Sequence, residues 1–360
     1  MRGNINHLQK RKRSLQSNDA TSSSYCILPG TPTLAPPILK ISRPTPPSLG
    51  LHVQSLTDIK TLLESRGLSP KRSLGQNFLV DQNLLKKLID AARVQHGDIV
   101  VEVGPGTGGL TEELASRVGP EGRVIACELD DALAAMLTER AAAGEFPGAE
   151  RIVVVHDDCL ESKEEISLKL KAAIKTAQAA TTQRAFKLVA NLPYGAATPL
   201  ILTLLTKHLD CSVLAVTIQD EVSDRLVAKP STSERGMVSV IAQTLSRVTR
   251  VATAPRECFW PRPDVTSAMV LLERLPETRV ADPAAFAAFC KRLFSHRRKQ
   301  LGGVLGADIP VPWPDGIEPR MRAEELTLDQ VLSLFHSAVP PKVPHHKSTG
   351  PLADRTPIGE

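Results

Sequence analysis

The sequence predicts an open α/β fold, a parallel sheet with helices on both faces, followed by a small all-helical domain. Three observations predict it. Apolar runs of strand length alternate with helical patterns from residue 99 onward. A glycine-rich loop, Glu102-Val103-Gly104-Pro105-Gly106-Thr107-Gly108-Gly109, joins the first run to the first helix. A carboxylate, Glu128, closes the second run about twenty residues later. Repetition of strand and helix in this order buries a parallel sheet on both sides.

The elements follow in order. Ile99–Val103 is a short apolar run ending in glycines, the pattern of a buried strand, and residues 110–118 continue as a helix. Residues 123–127 form the second strand and Asp131–Ala142 the second helix. Residues 152–155 and 186–190 are the third and fourth strands. Thr198-Pro199 opens the next helix, with Thr198 as N-cap and Pro199 at the first helical position. Residues 212–218 form a fifth strand, and 248–252 and 268–272 are further strands at the sheet's end. After Pro276 the pattern turns helical: Phe286, Phe289 and Leu293 recur at helical spacing, and residues 328–335 are amphipathic. The chain thus divides into an N-terminal extension (1–68), an α/β domain (69–275), a helical domain (276–339) and a tail (340–360).

The extension carries Lys10-Arg11-Lys12-Arg13, the run Ser22-Ser23-Ser24 and many prolines. Such a stretch buries too little apolar surface to offset its conformational entropy, and it reads as disordered. Its basic, Ser-rich, acid-poor composition also matches an organelle transit peptide; a loose RNA-binding arm, a non-functional tail and a start codon set too far upstream are the alternatives. The tail is similarly polar and Pro-rich.

Hydrophobic residues make up 42% of the chain, enough for a sizeable core. A net charge of +5 suits a polyanionic partner and equally a plain basic enzyme. The six cysteines are scattered, with no C-x-x-C pair and no Cys/His cluster at zinc spacing. Neither a disulfide scaffold nor a metal site is expected, and a reduced cytoplasmic setting is. No apolar run has the length of a bilayer span, so no membrane association is expected.

Glycines between a strand and a helix let backbone approach a ligand, and a carboxylate placed like Glu128 accepts from two ribose hydroxyls. An adenosine-containing cofactor follows. The spacing Gly104-x-Gly106-x-x-Gly109 also satisfies the dinucleotide fingerprint, so a nicotinamide-dependent oxidoreductase competes with a methyltransferase. Glu102, just ahead of the glycines, fits the methyltransferase pattern E-x-G-x-G-x-G, and His156-Asp157-Asp158-Cys159 offers a second acid, Asp158, for an adenine amine.

Asn191-Leu192-Pro193-Tyr194 follows the fourth strand, at the strand end where such sheets hold ligands. An adenine N6 amine is a weak nucleophile because its lone pair is delocalised into the ring. Acceptors on its N–H groups, from the Asn191 side chain and a carbonyl at Leu192 or Pro193, draw the nitrogen toward tetrahedral geometry. Pro193 fixes the backbone, and Tyr194 offers a face on which the base stacks. Transfer then needs positioning more than a strong base.

These residues, with Ser73-Leu74-Gly75-Gln76-Asn77-Phe78-Leu79-Val80-Asp81, Gln219-Asp220-Glu221-Val222, Phe259-Trp260-Pro261-Arg262-Pro263 and Phe294-Ser295-His296-Arg297-Arg298-Lys299, form an ordered set. From about residue 71 to 335 the chain resembles the ribosomal RNA adenine N6,N6-dimethyltransferases of the bacterial small-subunit type. The resemblance implies a Rossmann-like class I methyltransferase domain using S-adenosyl-L-methionine, with a small C-terminal helical domain. It implies dimethylation of two adjacent adenines in the loop of the 3′-terminal hairpin of 16S rRNA, within the small ribosomal subunit or its precursor, by a monomer with a role in ribosome biogenesis. It maps cofactor contacts to Asn77, Leu79, Gly104, Gly106, Glu128, Asp158 and Asn191. It maps catalysis to Asn191, Leu192, Pro193 and Tyr194, with Phe259 stacking on the target base opposite Tyr194. It assigns RNA contacts to Lys71, Arg72, Arg297, Arg298 and Lys299, a charge run that is otherwise a solvated face. The chain departs from the family pattern at Gly302-Gly303, at Arg262 and Asp264, and in a longer Ala-rich segment over 163–184.

Overall fold

The computed structural model describes residues 54–309 and 311–339, so the expectations for residues 1–53 and for the tail lie outside the described residues. Helix α1 (Leu56–Ser65) corrects the expectation of disorder up to residue 68. A capping box starts it: the Ser55 hydroxyl accepts from the Asp58 N–H, and the Asp58 carboxylate accepts from the Ser55 N–H. Ile59 and Leu63 then share one face and are buried against Leu133 and Met136. Each such burial stabilises by about 1.5–3 kcal/mol, which offsets the ordering of one short helix.

Helix α2 (Gln82–Ala92) follows, capped by the Asp81 side chain. The alternation continues as β1 (Ile99–Val103), α3 (Gly109–Val118), β2 (Arg123–Glu128), α4 (Asp131–Ala142), β3 (Ile152–His156), α5 (Leu168–Ala180), β4 (Phe186–Asn191), α6 (Tyr194–Lys207) and β5 (Cys211–Gln219). Helices α7 (Asp220–Val227) and α8 (Met237–Leu245) precede β6 (Ser246–Ala254) and β7 (Ser267–Arg274). The chain then runs through α9 (Pro283–Leu293), α10 (Leu301–Leu305) and α11 (Leu328–Ala338).

Strands β1 to β7 form one sheet in the order β3-β2-β1-β4-β5-β7-β6. The first five are parallel, whereas β7 runs antiparallel to both β5 and β6. The parallel expectation is therefore corrected at β7, the strand next to the β6 edge. Periodicity gives strand identity but not direction, and β6 to β7 is joined by a loop without a crossover helix, which only an antiparallel pair allows. Strand order reverses between β1 and β4, and both strands point their C-terminal ends at the crevice this opens.

Alternation along the strands feeds two cores. Val100, Val124 and Val189 pack with Leu88 and Ile89 of α2 and Leu114 of α3. Val101, Ile125 and Leu188 face the other way, onto Ile174 of α5 and Leu200 and Leu204 of α6. Phe286, Phe289 and Phe335 of the last helices belong to this second cluster, with Phe335 edge-on to Phe286 at 5.2 Å.

Helix α6 begins at Tyr194, not at Thr198, and Pro199 lies inside it with Pro193 as N-cap. The Thr-Pro pair reads locally as a start signal, but the bond Ala196 N–H to Pro193 O already closes the first turn. Pro199 is past the first turn and forgoes one helical hydrogen bond at about 3 kcal/mol, which the burial of Leu200, Ile201 and Leu204, about 1.5–3 kcal/mol each, offsets.

Candidate active site

A cavity of about 550 Å³ opens at the C-terminal ends of β1 and β4. Its walls are residues 72–79, 102–107, 127–129, 157–160 and 191–196, together with Phe259. The segment 72–79 is held by a two-residue antiparallel ladder, Phe78 opposite Trp260 and Leu79 opposite Phe259. The Phe78 and Trp260 rings stack at 6.2 Å.

The glycines of the loop do more than approach a ligand. Gly104 and Gly106 have φ of 72° and 60°, the left-handed region. A Cβ on Gly104 would lie 3.3 Å from the Pro193 ring, and one on Gly106 would lie 2.7 Å from the Phe78 ring. The loop after β1 thus packs on the loop after β4 and on the segment 72–79.

Four carboxylates line this cavity: Glu102, Glu128, Asp157 and Asp158. Glu128, at the end of β2, is buried and accepts from the N–H of Gly106 at 3.0 Å and of Asp130 at 2.9 Å. Burial pushes its carboxyl up, and these two backbone donors oppose the rise. Each oxygen keeps a second lone pair for a diol. Glu102 is 2% exposed, its Oε2 has no partner, and burial pushes its carboxyl up to about 8, against the nearby Thr111 hydroxyl. Of the Asp157-Asp158 pair, Asp157 is taken by the Ser167 hydroxyl at 2.6 Å. Asp158 is exposed at the cavity wall and uses one oxygen to accept from the Leu160 N–H at 2.9 Å.

Asn191 ends β4 and donates its side-chain N–H to the Asn77 carbonyl at 2.8 Å. A carbonyl only accepts, so this contact assigns the amide: nitrogen toward Asn77, oxygen left for another donor. The Asn77 amide is itself pinned to the Gly75 carbonyl at 3.0 Å. Leu192 is buried with its N–H on the Thr217 carbonyl. The Tyr194 hydroxyl meets the Ser267 hydroxyl at 3.1 Å. Phe259 is buried and lines the same cavity.

A model of the ribosomal RNA adenine dimethylases matches residues 67–339. The chain belongs to that family. It is 35% identical over 294 residues to the ribosomal RNA small subunit methyltransferase A of Geobacillus thermodenitrificans, covering 78% of this chain and 95% of the relative. The same-named protein of Moorella thermoacetica is 36% identical over 282 residues, covering 76% and 94%. Two solved structures share the fold. A dimethyladenosine transferase from Plasmodium falciparum has a TM-score of 0.55 at 22% identity, over 71% of this chain and 94% of that one. The 23S rRNA methyltransferase ErmE has 0.54 at 23%, over 73% and 99%.

Family membership decides between the two readings of the glycine loop: the chain is a methyltransferase, and its cofactor is S-adenosylmethionine. The residues fit that molecule, since Glu102 offers an unpartnered buried oxygen to an ammonium and Glu128 offers free lone pairs to a ribose diol. Leu129 is half exposed on the wall beside Glu128, an apolar surface that the motifs do not mark.

The basic residues divide. Lys71, expected at RNA, ion-pairs with Asp130 at 2.7 Å, and Asp130 is also held by Gln76 at 3.2 Å. Desolvation would raise the Asp130 carboxyl, but the Lys71 ammonium and the Leu133 N–H hold it below its ordinary range. Arg297 donates to the carbonyls of Ser233 and Arg235. Arg72, Arg298 and Lys299 are exposed and make no ion pair among the described residues. Of the family departures, Gly302 allows close approach, since a Cβ there would lie 3.3 Å from the Pro319 carbonyl, and Arg262 faces Glu257 at 3.5 Å.

Proposed function

We propose that this methyltransferase dimethylates N6 of two adjacent adenines in the loop of the 3′-terminal hairpin of 16S rRNA, acting on the small ribosomal subunit or its precursor as a cytoplasmic monomer. The observation that carries the reading is the orientation of Asn191. Its nitrogen is committed to the Asn77 carbonyl, so its oxygen is free to accept from an amine at the end of β4. S-adenosylmethionine supplies an electrophilic methyl on a sulfonium. Glu128 holds the ribose, Asp158 the adenine amine and Glu102 the ammonium of the amino acid end.

The Asn191 oxygen and the Leu192 carbonyl accept the two N–H groups of the target amine. The Pro193 carbonyl already serves the Ala196 N–H, which favours Leu192 as the second acceptor. Tyr194, fixed through Ser267, and Phe259 hold the extruded base between aromatic faces. The proton is released from a nitrogen made acidic by alkylation, so positioning dominates. We assign the helices over 276–339 to RNA docking, with Arg298 and Lys299 on the backbone and Arg72 at the cavity wall. Incubation of the protein with labelled cofactor and under-methylated small subunits, then mass spectrometry of the hairpin fragment, tests the proposal. Dimethyladenosine at two neighbouring positions is expected, and label confined to other fragments would overturn it.

A further inference from the structure

Two residues outside every motif converge behind the glycine loop. Arg140, on the last turn of α4, has a side chain only 10% exposed. Its three nitrogens are all engaged: NH1 donates to the Thr107 carbonyl, NH2 to Glu112 and Nε to Glu145, each at 2.8 Å. The Phe146 ring lies 5.2 Å from the guanidinium. Gln54, just ahead of α1, reaches the same two acceptors, with Nε2 donating to the Thr107 carbonyl at 3.1 Å and to Glu112 at 2.6 Å. Gln54 lies upstream of the residues the family model matches. A Cβ on Gly108 would lie 2.9 Å from Leu137 and 3.5 Å from Arg140, so the loop rests directly on α4.

We infer that Arg140 and Gln54 are positioning residues that clamp the glycine loop through the single carbonyl of Thr107 and thereby set its affinity for S-adenosylmethionine. A loop rich in glycine has more backbone freedom than any other sequence, and ligand binding must freeze it. Two donors on one buried carbonyl fix the orientation of the Thr107–Gly108 peptide before the ligand arrives. Glu112 holds both donors in place, since each of them also binds its carboxylate. Preorganisation of this kind appears in cofactor affinity and not in the chemical step, because neither residue touches the reacting atoms. The clamp also ties the loop to α1, whose Ile59 and Leu63 pack on the same α4 through Leu133 and Met136.

The test uses the full chain with Gln54→Leu, Arg140→Lys and the pair. Gln54 stands before the first helix and leucine keeps most of its bulk without its donors, while lysine at position 140 keeps a charge opposite Glu112 and gives up the three-way reach. Titration calorimetry with S-adenosylmethionine should show a Kd raised about three- to tenfold by each change. The double variant should fall short of the product of the two. At saturating cofactor and RNA, kcat should stay within twofold while KM for the cofactor rises. Hydrogen exchange in the ligand-free chain gives an independent reading: residues 104–109 should exchange faster in both variants, with β1 unchanged. Unaltered exchange over 104–109, or a fall in kcat with Kd unchanged, would overturn the clamp. Failure of the wild-type chain to bind the cofactor would overturn its role in affinity, and the exchange data would still stand apart from the cofactor assignment.

Discussion

Replacing Glu102 by glutamine should make the protein more stable in alkali, and the size of the effect follows from its burial. Glu102 sits on β1 with 2% of its surface exposed and one oxygen without a partner. Desolvation, opposed by Thr111 and reinforced by the charge of Glu128, moves its carboxyl from an ordinary 4.5 to about 8. Between those two values the folded chain holds a proton that the unfolded chain has released. The unfolded state therefore binds fewer protons, and stability falls as pH rises through the window. The stabilising contribution of the neutral carboxyl is complete below 4.5 and gone by about 8. Each decade is worth at most about 1.4 kcal/mol, so the whole window amounts to no more than about 5 kcal/mol, and local relaxation brings it nearer 2–4. Glutamine keeps the shape and carries no proton. Urea unfolding of both proteins at pH 5, 7 and 9 is the assay, and taking the difference removes every other titrating group. The two should be close at pH 5, and the variant should lead by about 2–4 kcal/mol at pH 9. Curves that stay parallel from pH 5 to 9 would refute the buried neutral carboxyl.

Asn191→Ala should lower kcat by about 10²- to 10³-fold, the usual effect of removing one preorganised transition-state hydrogen bond, while cofactor Kd measured by calorimetry changes little. Glu128→Ala should weaken cofactor binding by at least about tenfold in the same titration, since it removes a charged acceptor and frees the Gly106 N–H. Replacing Arg298 and Lys299 by alanine should reduce the slope of log RNA affinity against log salt by about one for each phosphate that is no longer neutralised, and an unchanged slope would return both residues to the solvated surface.

The strands and the glycine loop were legible because a buried strand needs an apolar run and a tight strand-to-helix turn needs glycine, and both requirements are local. Helix α1 was hidden inside a composition that predicts disorder. Only its capping box and the Ile59–Leu63 spacing mark it, and these are weak until Leu133 and Met136 provide a surface. The direction of β7 was not legible, because side-chain period says which face is buried and nothing about polarity. In the site, Glu128 and Asn191 could be found from spacing. Ser267, which holds the Tyr194 hydroxyl, could not, since its partner lies 73 residues away and a serine at a strand start has no local signature. The Lys71–Asp130 ion pair was hidden for a related reason: next to Arg72 the lysine reads as a basic patch, and only the fold brings Asp130 to it.

The packing between the loops carries a mechanistic consequence that motifs read singly conceal. In-line methyl transfer needs donor and amine placed to within a fraction of an ångström. Here the loop after β1 and the loop after β4 are not separate devices. Gly104 packs on Pro193, Gly106 packs on Phe78, and Asn77 orients Asn191. Phe78 and Leu79 are in turn paired with Trp260 and Phe259, on the side where the base would stack. Any side chain added at Gly104 or Gly106 would therefore push on Pro193 or on Phe78 as well as distort the glycine loop itself. The glycine requirement at these positions is as much a requirement of packing between loops as of close approach by a ligand, which is why a nucleotide cradle alone explains only half of it.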